Sequence, residues 1–276
     1  MEKHIQVKPI SKISRNFLIR SYSAAVLVPV FGFFIVVGGT HFSLFIALLG
    51  AIMTWEMATA MFDGDRNPLI FSASAGTGVF IFLLGTKASF FGISAVGVLL
   101  TITLLTMGGR SKLFGTTALF LVFNQFIIIP CFLIIWLRGT EELNTVLWVV
   151  LSVVATDIGA YLAGKSIGGK KLAPKISPNK TWSGLLGGAL CSVITGFIFS
   201  WFLPENQLKL MFLGLLIAIV SQLGDLLESN FKRKYLIKES SNLIPGHGGL
   251  MDRLDGHMAA VSFVALIKLV NDNVLV

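Results

Sequence analysis

Residues 207–233 read QLKLMFLGLLIAIVSQLGDLLESNFKR, an apolar run that turns charged at its end. A helix crosses the hydrocarbon core of a bilayer with about 20 mostly apolar residues, and 207–228 meets that length. The charges that close the run are ordered. Asp225, Glu228, Ser229, Lys232 and Arg233 are spaced i, i+3, i+4, i+7 and i+8, which places them on one helical face. Leu223, Leu226, Leu227 and Phe231 are left for packing elsewhere. A charged side chain costs roughly 2.5–3.5 kcal/mol at mid-bilayer and less near the interface, so such a stripe is expected to face a polar cavity. The plainer alternative is a stripe that pairs within itself, Asp225 with Lys232.

The rest of the chain repeats the apolar pattern. Runs of spanning length cover roughly 21–38, 42–62, 69–86, 90–107, 113–137, 143–163, 184–203, 207–228 and 256–271. Of the 276 residues, 54% are hydrophobic and 13% are charged, with a mean hydropathy of +0.82. A soluble domain carries about 25% charged residues, so the polar complement here is too small for a water-facing surface. The expected fold class is all-α: a polytopic integral membrane helical bundle of about nine transmembrane helices, forming one domain over 1–276. Within it, 1–112 supplies the N-terminal helices and 113–276 the remaining helices and two long connections. The run at 69–86 is rich in Gly, Ser and Ala, which suits close helix packing. The run at 113–137 is long enough to be tilted, or broken near Pro130. No cleavable signal peptide is expected, because the first 20 residues are basic and no small-residue cleavage site follows the first run.

Charge distribution narrows the function classes. The net charge of +8 is dispersed over short loops, so no basic domain exists to grip a nucleic acid. With the N-terminus in the cytoplasm, all of the 22 basic residues except Lys87, Arg138, Lys209 and Lys268 fall in inner loops, as the positive-inside rule requires. Cys131 and Cys191 both lie inside apolar runs and are expected to be small buried hydrophobes, with neither a disulfide nor a zinc pattern.

The two longest inner connections carry the chemistry. The first follows Asp157 and Tyr161 with Gly164-Lys165, Gly168-Gly169-Lys170-Lys171, Lys175, Ser177-Pro178-Asn179-Lys180-Thr181 and Trp182. Lysines, paired glycines and hydroxyls just before a helix start suit a polyphosphate, which backbone N–H groups and the helix dipole would meet. Ordinary inner-loop charge plus a turn is the competing reading, and Trp182 fits an interfacial aromatic. The second connection runs from Lys238 through Pro245-Gly246-His247-Gly248-Gly249 to Asp252-Arg253-Leu254-Asp255. Its glycines allow close backbone approach to a ligand. Asp252 and Asp255 are hard oxygen ligands beside cations, a pairing that suits a divalent metal clamped onto phosphate.

From Ser229 to Asp255 the sequence closely resembles the signature of the phosphatidate cytidylyltransferases (CDP-diacylglycerol synthases). The resemblance rests on Ser229-x-Phe231-Lys232-Arg233, Lys238 and Pro245-x-His247-Gly248-Gly249-x-x-Asp252-Arg253-x-Asp255. Leu172-Ala173-Pro174, Ser177-Pro178-x-Lys180-Thr181-Trp182 and Gly224-Asp225 extend it upstream. The chain departs from the family's usual pattern at Asn179, Ser183 and Glu239, where Lys or Gly, Glu and Asp are common.

The resemblance implies transfer of CMP from CTP to phosphatidate, giving CDP-diacylglycerol and pyrophosphate. A phosphate monoester has a second pKa of about 6, so the nucleophile is ionised at neutral pH and needs no His or Ser base. On this reading Asp225 and Asp252 are the main Mg²⁺ ligands, supported by Asp255 and Glu228. One or two divalent ions, or a divalent with a monovalent cation, fit the site. Lys232, Arg233, Lys238 and Arg253 neutralise CTP and the lipid phosphate, while Lys165, Ser177, Lys180 and Thr181 hold phosphate. Ser229, Gly248 and Gly249 line the substrate site, and His247 positions rather than acts as a base. The implied location is a bacterial inner membrane, multi-pass, with the site facing the cytoplasm, and a homodimer is allowed. Two other classes stay open: a CTP-dependent lipid kinase, which would release CDP, and a transporter, against which stand the absence of an internal repeat and the edge-on placement of the charges.

Overall fold

The computed structural model describes residues 12–62, 68–86, 114–140 and 143–274. Among these residues are eight helices: α1 (Lys12–Val37), α2 (Gly39–Phe62), α3 (Pro68–Gly85), α4 (Phe114–Thr140), α5 (Leu143–Ser166), α6 (Trp182–Phe199), α7 (Gln207–Lys234) and α8 (Met251–Val274). They match eight of the nine apolar runs, and the run at 90–107 lies outside the described residues. Five helices are long and apolar enough to cross a membrane: 39–62, 118–140, 143–166, 182–199 and 207–234. The apolar stretches 21–37 and 70–85 are shorter, and α8, which carries the span expected at 256–271, is not among the helices apolar enough to cross. Pro130 lies within α4, which continues through it.

The sequence explains the packing. Gly38 and Gly39 adopt φ of +65° and +57°, so α1 turns directly into α2. Arg138 at the end of α4 donates to the carbonyls of Ile35 and Val36 at 2.8 and 3.2 Å, satisfying the exposed C-terminal end of α1. Lys209, another cation away from the inner loops, pairs with Glu205 at 2.7 Å. The small-residue run does pack closely: a Cβ on Gly78 would lie 3.1 Å from the Ala47 carbonyl oxygen of α2. Thr54, Asn124 and Thr77 join α2, α4 and α3 through buried hydrogen bonds of 2.9 and 3.1 Å.

α5, α6, α7 and α8 pack in succession, each against the next. Small residues set these contacts. Added Cβ atoms on Gly188, Gly196 and Gly214 would fall 2.7, 2.4 and 2.6 Å from the carbonyl oxygens of Thr156, Leu210 and Ser192. Outward from this packing, Leu151, Val154 and Ile158 of α5, Leu186, Leu190 and Ile194 of α6, and Phe212, Leu223 and Leu227 of α7 are exposed. An apolar outer surface on helices of this length is what a hydrocarbon solvent selects. Cys131 and Cys191 are free thiols, buried and half-buried.

The first long connection is not irregular. Lys171–Ala173 (β1) and Ser177–Thr181 (β2) pair antiparallel, Lys171 opposite Thr181, in a short ribbon against the start of α6. The all-α expectation is therefore refined by this one two-stranded element among the described residues.

Candidate active site

Three segments converge at one end of the bundle: the C-terminal turns of α7, the first turn of α8 and the ribbon. On α7, Glu228 and Ser229 are buried and Asp225 and Lys232 half-buried, so the stripe faces inward. Its pairing differs from Asp225 with Lys232. Lys232 Nζ lies 2.6 Å from Glu228 Oε2, one turn away, and 2.7 Å from Asp252 Oδ1 on α8. Asp225 Oδ2 is 2.7 Å from Lys180 Nζ, which β2 brings across and which also donates to the Gln222 carbonyl at 3.3 Å. Ser229 Oγ donates to the other oxygen, Asp225 Oδ1, at 3.3 Å.

Gly224 explains how α7 and α8 come this close. A Cβ there would lie 2.6 Å from Ala259 Cβ and 2.9 Å from the Asp255 carbonyl oxygen. The missing side chain thus places Asp225 beside Asp255. Ligand oxygens of Asp225, Glu228 and Asp255 all fall within 4.8 Å of one another. Two oxygens trans across an octahedral Mg²⁺ are about 4.2 Å apart, so a small contraction would seat one. Glu228 is buried, with Oε2 on Lys232 and its carboxyl in hydrogen-bond reach of Asp252. Four carboxylates in this network, Asp225, Glu228, Asp252 and Asp255, meet two lysines, Lys180 and Lys232. Carboxylates gathered at this density are the hard oxygen donor set that fits a divalent cation.

Asp252 is held differently from the other three. Its Oδ2 accepts from the Gly249 and Ser240 amides at 2.8 and 2.9 Å and from Ser240 Oγ at 3.2 Å, while Oδ1 takes Lys232. Asp252 precedes the apolar part of α8. Burial pushes its carboxyl up, but the hydrogen bonds with Lys232, Glu228 and the two amides outweigh that and hold it below the usual carboxylate range. Gly248 is required twice over: its φ is +82°, and a Cβ would sit 2.8 Å from Asp252 Oδ2. Asp255 accepts from the Gly256 amide at 2.8 Å.

Arg233 is exposed and its Nε donates to the Ile176 carbonyl at 3.2 Å, tying α7 to the ribbon turn. Arg253 donates to the His247 carbonyl at 3.0 Å, and the His247 amide donates to Ile244 at 2.9 Å. Thr181 caps α6 by accepting from the Gly184 amide at 3.1 Å. Ser177 opens β2 half-buried, and Lys238 is exposed on the connection. Lys165 is exposed in the last turn of α5, with Nζ donating to the Tyr161 hydroxyl at 3.2 Å. Of the departures, Ser183 bonds Thr181 Oγ1 at 3.0 Å and donates to the Gly168 carbonyl, joining α6 to the glycine turn. Glu239 is exposed, its methylenes near Gly248.

One participant escaped the sequence reading. Glu56 of α2 is fully buried and accepts four hydrogen bonds from the second connection. The signal was present: it is the one acid in the apolar run 42–62, and an ionisable group inside a spanning run is a functional candidate by default.

Comparison with known proteins agrees with this site. The profile described as "Cytidylyltransferase family" matches residues 18–270. A phosphatidate cytidylyltransferase of Brucella suis is 35% identical over 246 residues, covering 83% of this chain and 85% of its own. That of Bacillus subtilis is 32% identical over 251 residues, covering 85% and 91%. That of Staphylococcus haemolyticus is 32% identical over 260 residues, covering 90% and 98%. The match spans the carboxylate-bearing helices and the ribbon alike, and the chain belongs to the cytidylyltransferase family.

Proposed function

We propose that this protein transfers CMP from CTP to phosphatidate, releasing pyrophosphate and forming CDP-diacylglycerol. The observation that carries the reading is the Asp225–Glu228–Asp255 cluster, flanked by Lys180 and Lys232 in a membrane helix bundle. A phosphate oxygen of phosphatidate attacks the α-phosphorus of CTP, the α–β P–O bond breaks, and pyrophosphate leaves with the electron pair. The nucleophile arrives ionised, so the task of the site is to overcome repulsion between anions and hold them in line.

Asp225, Glu228 and Asp255 would hold Mg²⁺, with Asp252 one ion pair away through Lys232, and the ion would neutralise charge on the reacting phosphates. Arg233, Lys238 and Arg253, on the segments that carry or adjoin the cluster, would neutralise the polyphosphate and the lipid phosphate. Lys180 and Ser177 carry phosphate contacts from the ribbon, and His247 orients the glycine turn. Because CTP is water-soluble and phosphatidate is a lipid, the cluster belongs at a membrane face. We assign that face to the cytoplasm of a bacterial inner membrane, with nine spans and the N-terminus inside.

Purified protein given phosphatidate, Mg²⁺ and CTP labelled at the α-phosphate is expected to move label into lipid and release unlabelled pyrophosphate. Label entering lipid only from the γ-phosphate would replace this reading with a lipid kinase. No transfer from either position would overturn it.

A further inference from the structure

Glu56 is fully buried in α2, nearly two hundred residues before the turn it touches. Its Oε1 accepts from Ser241 Oγ at 2.6 Å and the Leu250 amide at 2.8 Å. Its Oε2 accepts from the Met251 amide at 2.8 Å and Ser240 Oγ at 3.1 Å. Leu250 and Met251 open α8, where backbone N–H groups have no partner within the helix and the helix dipole is positive. An anion normally fills that place with a side chain from the same chain segment or a ligand. Here a carboxylate from another helix fills it, one residue before Asp252.

We infer that Glu56 is the positioning residue of the site: it fixes the first turn of α8, and through that turn the placement of Asp252 and Asp255. Three features support the assignment. Both carboxylate oxygens are used, so the contact sets rotation as well as distance. Ser240 Oγ lies between Glu56 Oε2 and Asp252 Oδ2, at 3.1 and 3.2 Å, so its single proton is shared by the two acids and couples them. Gly249 is required by the same contact: a Cβ there would fall 1.9 Å from Ser240 Oγ and 2.6 Å from Glu56 Oε1. The second glycine of the turn thus admits Glu56 to the backbone. With those amides occupied, the start of α8 is closed to a substrate phosphate, leaving phosphate binding to the cations around the cluster.

The significance for catalysis rests on the CMP-transfer reading, so the test has arms that do not. Full-length Glu56→Gln, purified in detergent, keeps the shape of the side chain but turns an N–H₂ toward donors. Hydrogen–deuterium exchange in the 248–254 region is expected to accelerate at least tenfold, and Mn²⁺ binding followed by electron paramagnetic resonance to weaken at least tenfold. kcat for CMP transfer should fall at least tenfold with KM for CTP within threefold. Gly249→Ala should reproduce all three changes, and Glu205→Gln, an exposed acid at the other end, should produce none. A monodisperse Glu56→Gln protein with unchanged exchange, or with unchanged Mn²⁺ affinity, overturns the assignment whatever its activity. If the wild-type protein transfers no CMP, the preceding functional reading fails while exchange and Mn²⁺ affinity still decide the role of Glu56.

Discussion

At the scale of single residues, the cluster separates acids held by side chains alone from one that backbone amides saturate. Asp225 keeps Lys180 and Ser229 as partners, and both are movable side chains. Asp252 is bound by two backbone amides that cannot withdraw without unfolding the turn. Both are expected to be essential, for different reasons. Asp225→Ala and Asp252→Ala should each lower CMP transfer at least a thousandfold in protein that still inserts and elutes as a single species. Activity within tenfold of wild type in either, across a Mg²⁺ titration, would contradict the site. Glu239 is the contrasting case. It is exposed and outside the carboxylate cluster, while oxygens that bind Mg²⁺ must sit at about 2.0–2.1 Å in near-octahedral order. Glu239→Asp should leave kcat within a few-fold, and Glu239→Gln should cost far less than Asp252→Asn. Equal loss in the last two would move Glu239 into the metal shell.

At the scale of elements, the site depends on how near α7 and α8 approach. Gly224 meets the Asp255 carbonyl, which is backbone and cannot rotate away. Gly224→Leu must push the helices apart, an overpacking that costs about 1–3 kcal/mol. The same displacement separates Asp225 from Asp255. A lower melting temperature together with at least a hundredfold loss of activity is expected, and a variant equal to wild type in both would refute the packing argument. Thr181 offers a milder test at the start of α6. Its hydroxyl caps the helix at the Gly184 amide, and Thr181→Ala should cost about 1 kcal/mol of stability. The ribbon would loosen with it, because Thr181 is paired with Lys171 and precedes the turn that Ser183 ties to Gly168.

At the scale of the whole molecule, the bundle places its two ends in different chemistry. One end gathers Lys180, Lys232, Arg233 and Arg253 around the carboxylates. At the other, Arg138 caps α1 and Lys209 pairs with Glu205, so neither cation there is an unpaired exception to the charge rule. In a background lacking Cys131 and Cys191, a cysteine at Gly168 should be protected from impermeant thiol reagents in intact cells. One at Asn206 should be labelled. The reverse pattern would invert the orientation and place the site on the wrong face for CTP.

Hydrophobic run length located the helices because a helix that crosses a bilayer needs about 20 apolar residues in a row, and that constraint is local. The stripe from Asp225 to Arg233 was legible for the same reason: helical period alone puts those residues on one face. Pairing was not local. Lys232 joins Glu228 and Asp252, and Asp225 joins Lys180, because glycine-mediated contact between helices brings separate segments into reach. The ribbon at 171–181 was hidden because three- and five-residue strands are too short to display an alternating pattern. Glu56 is a lone acid in an apolar run and passed unread there, because its partners lie at 240–251. Only the folded chain could name them, since a buried carboxylate takes whatever donors packing brings to it.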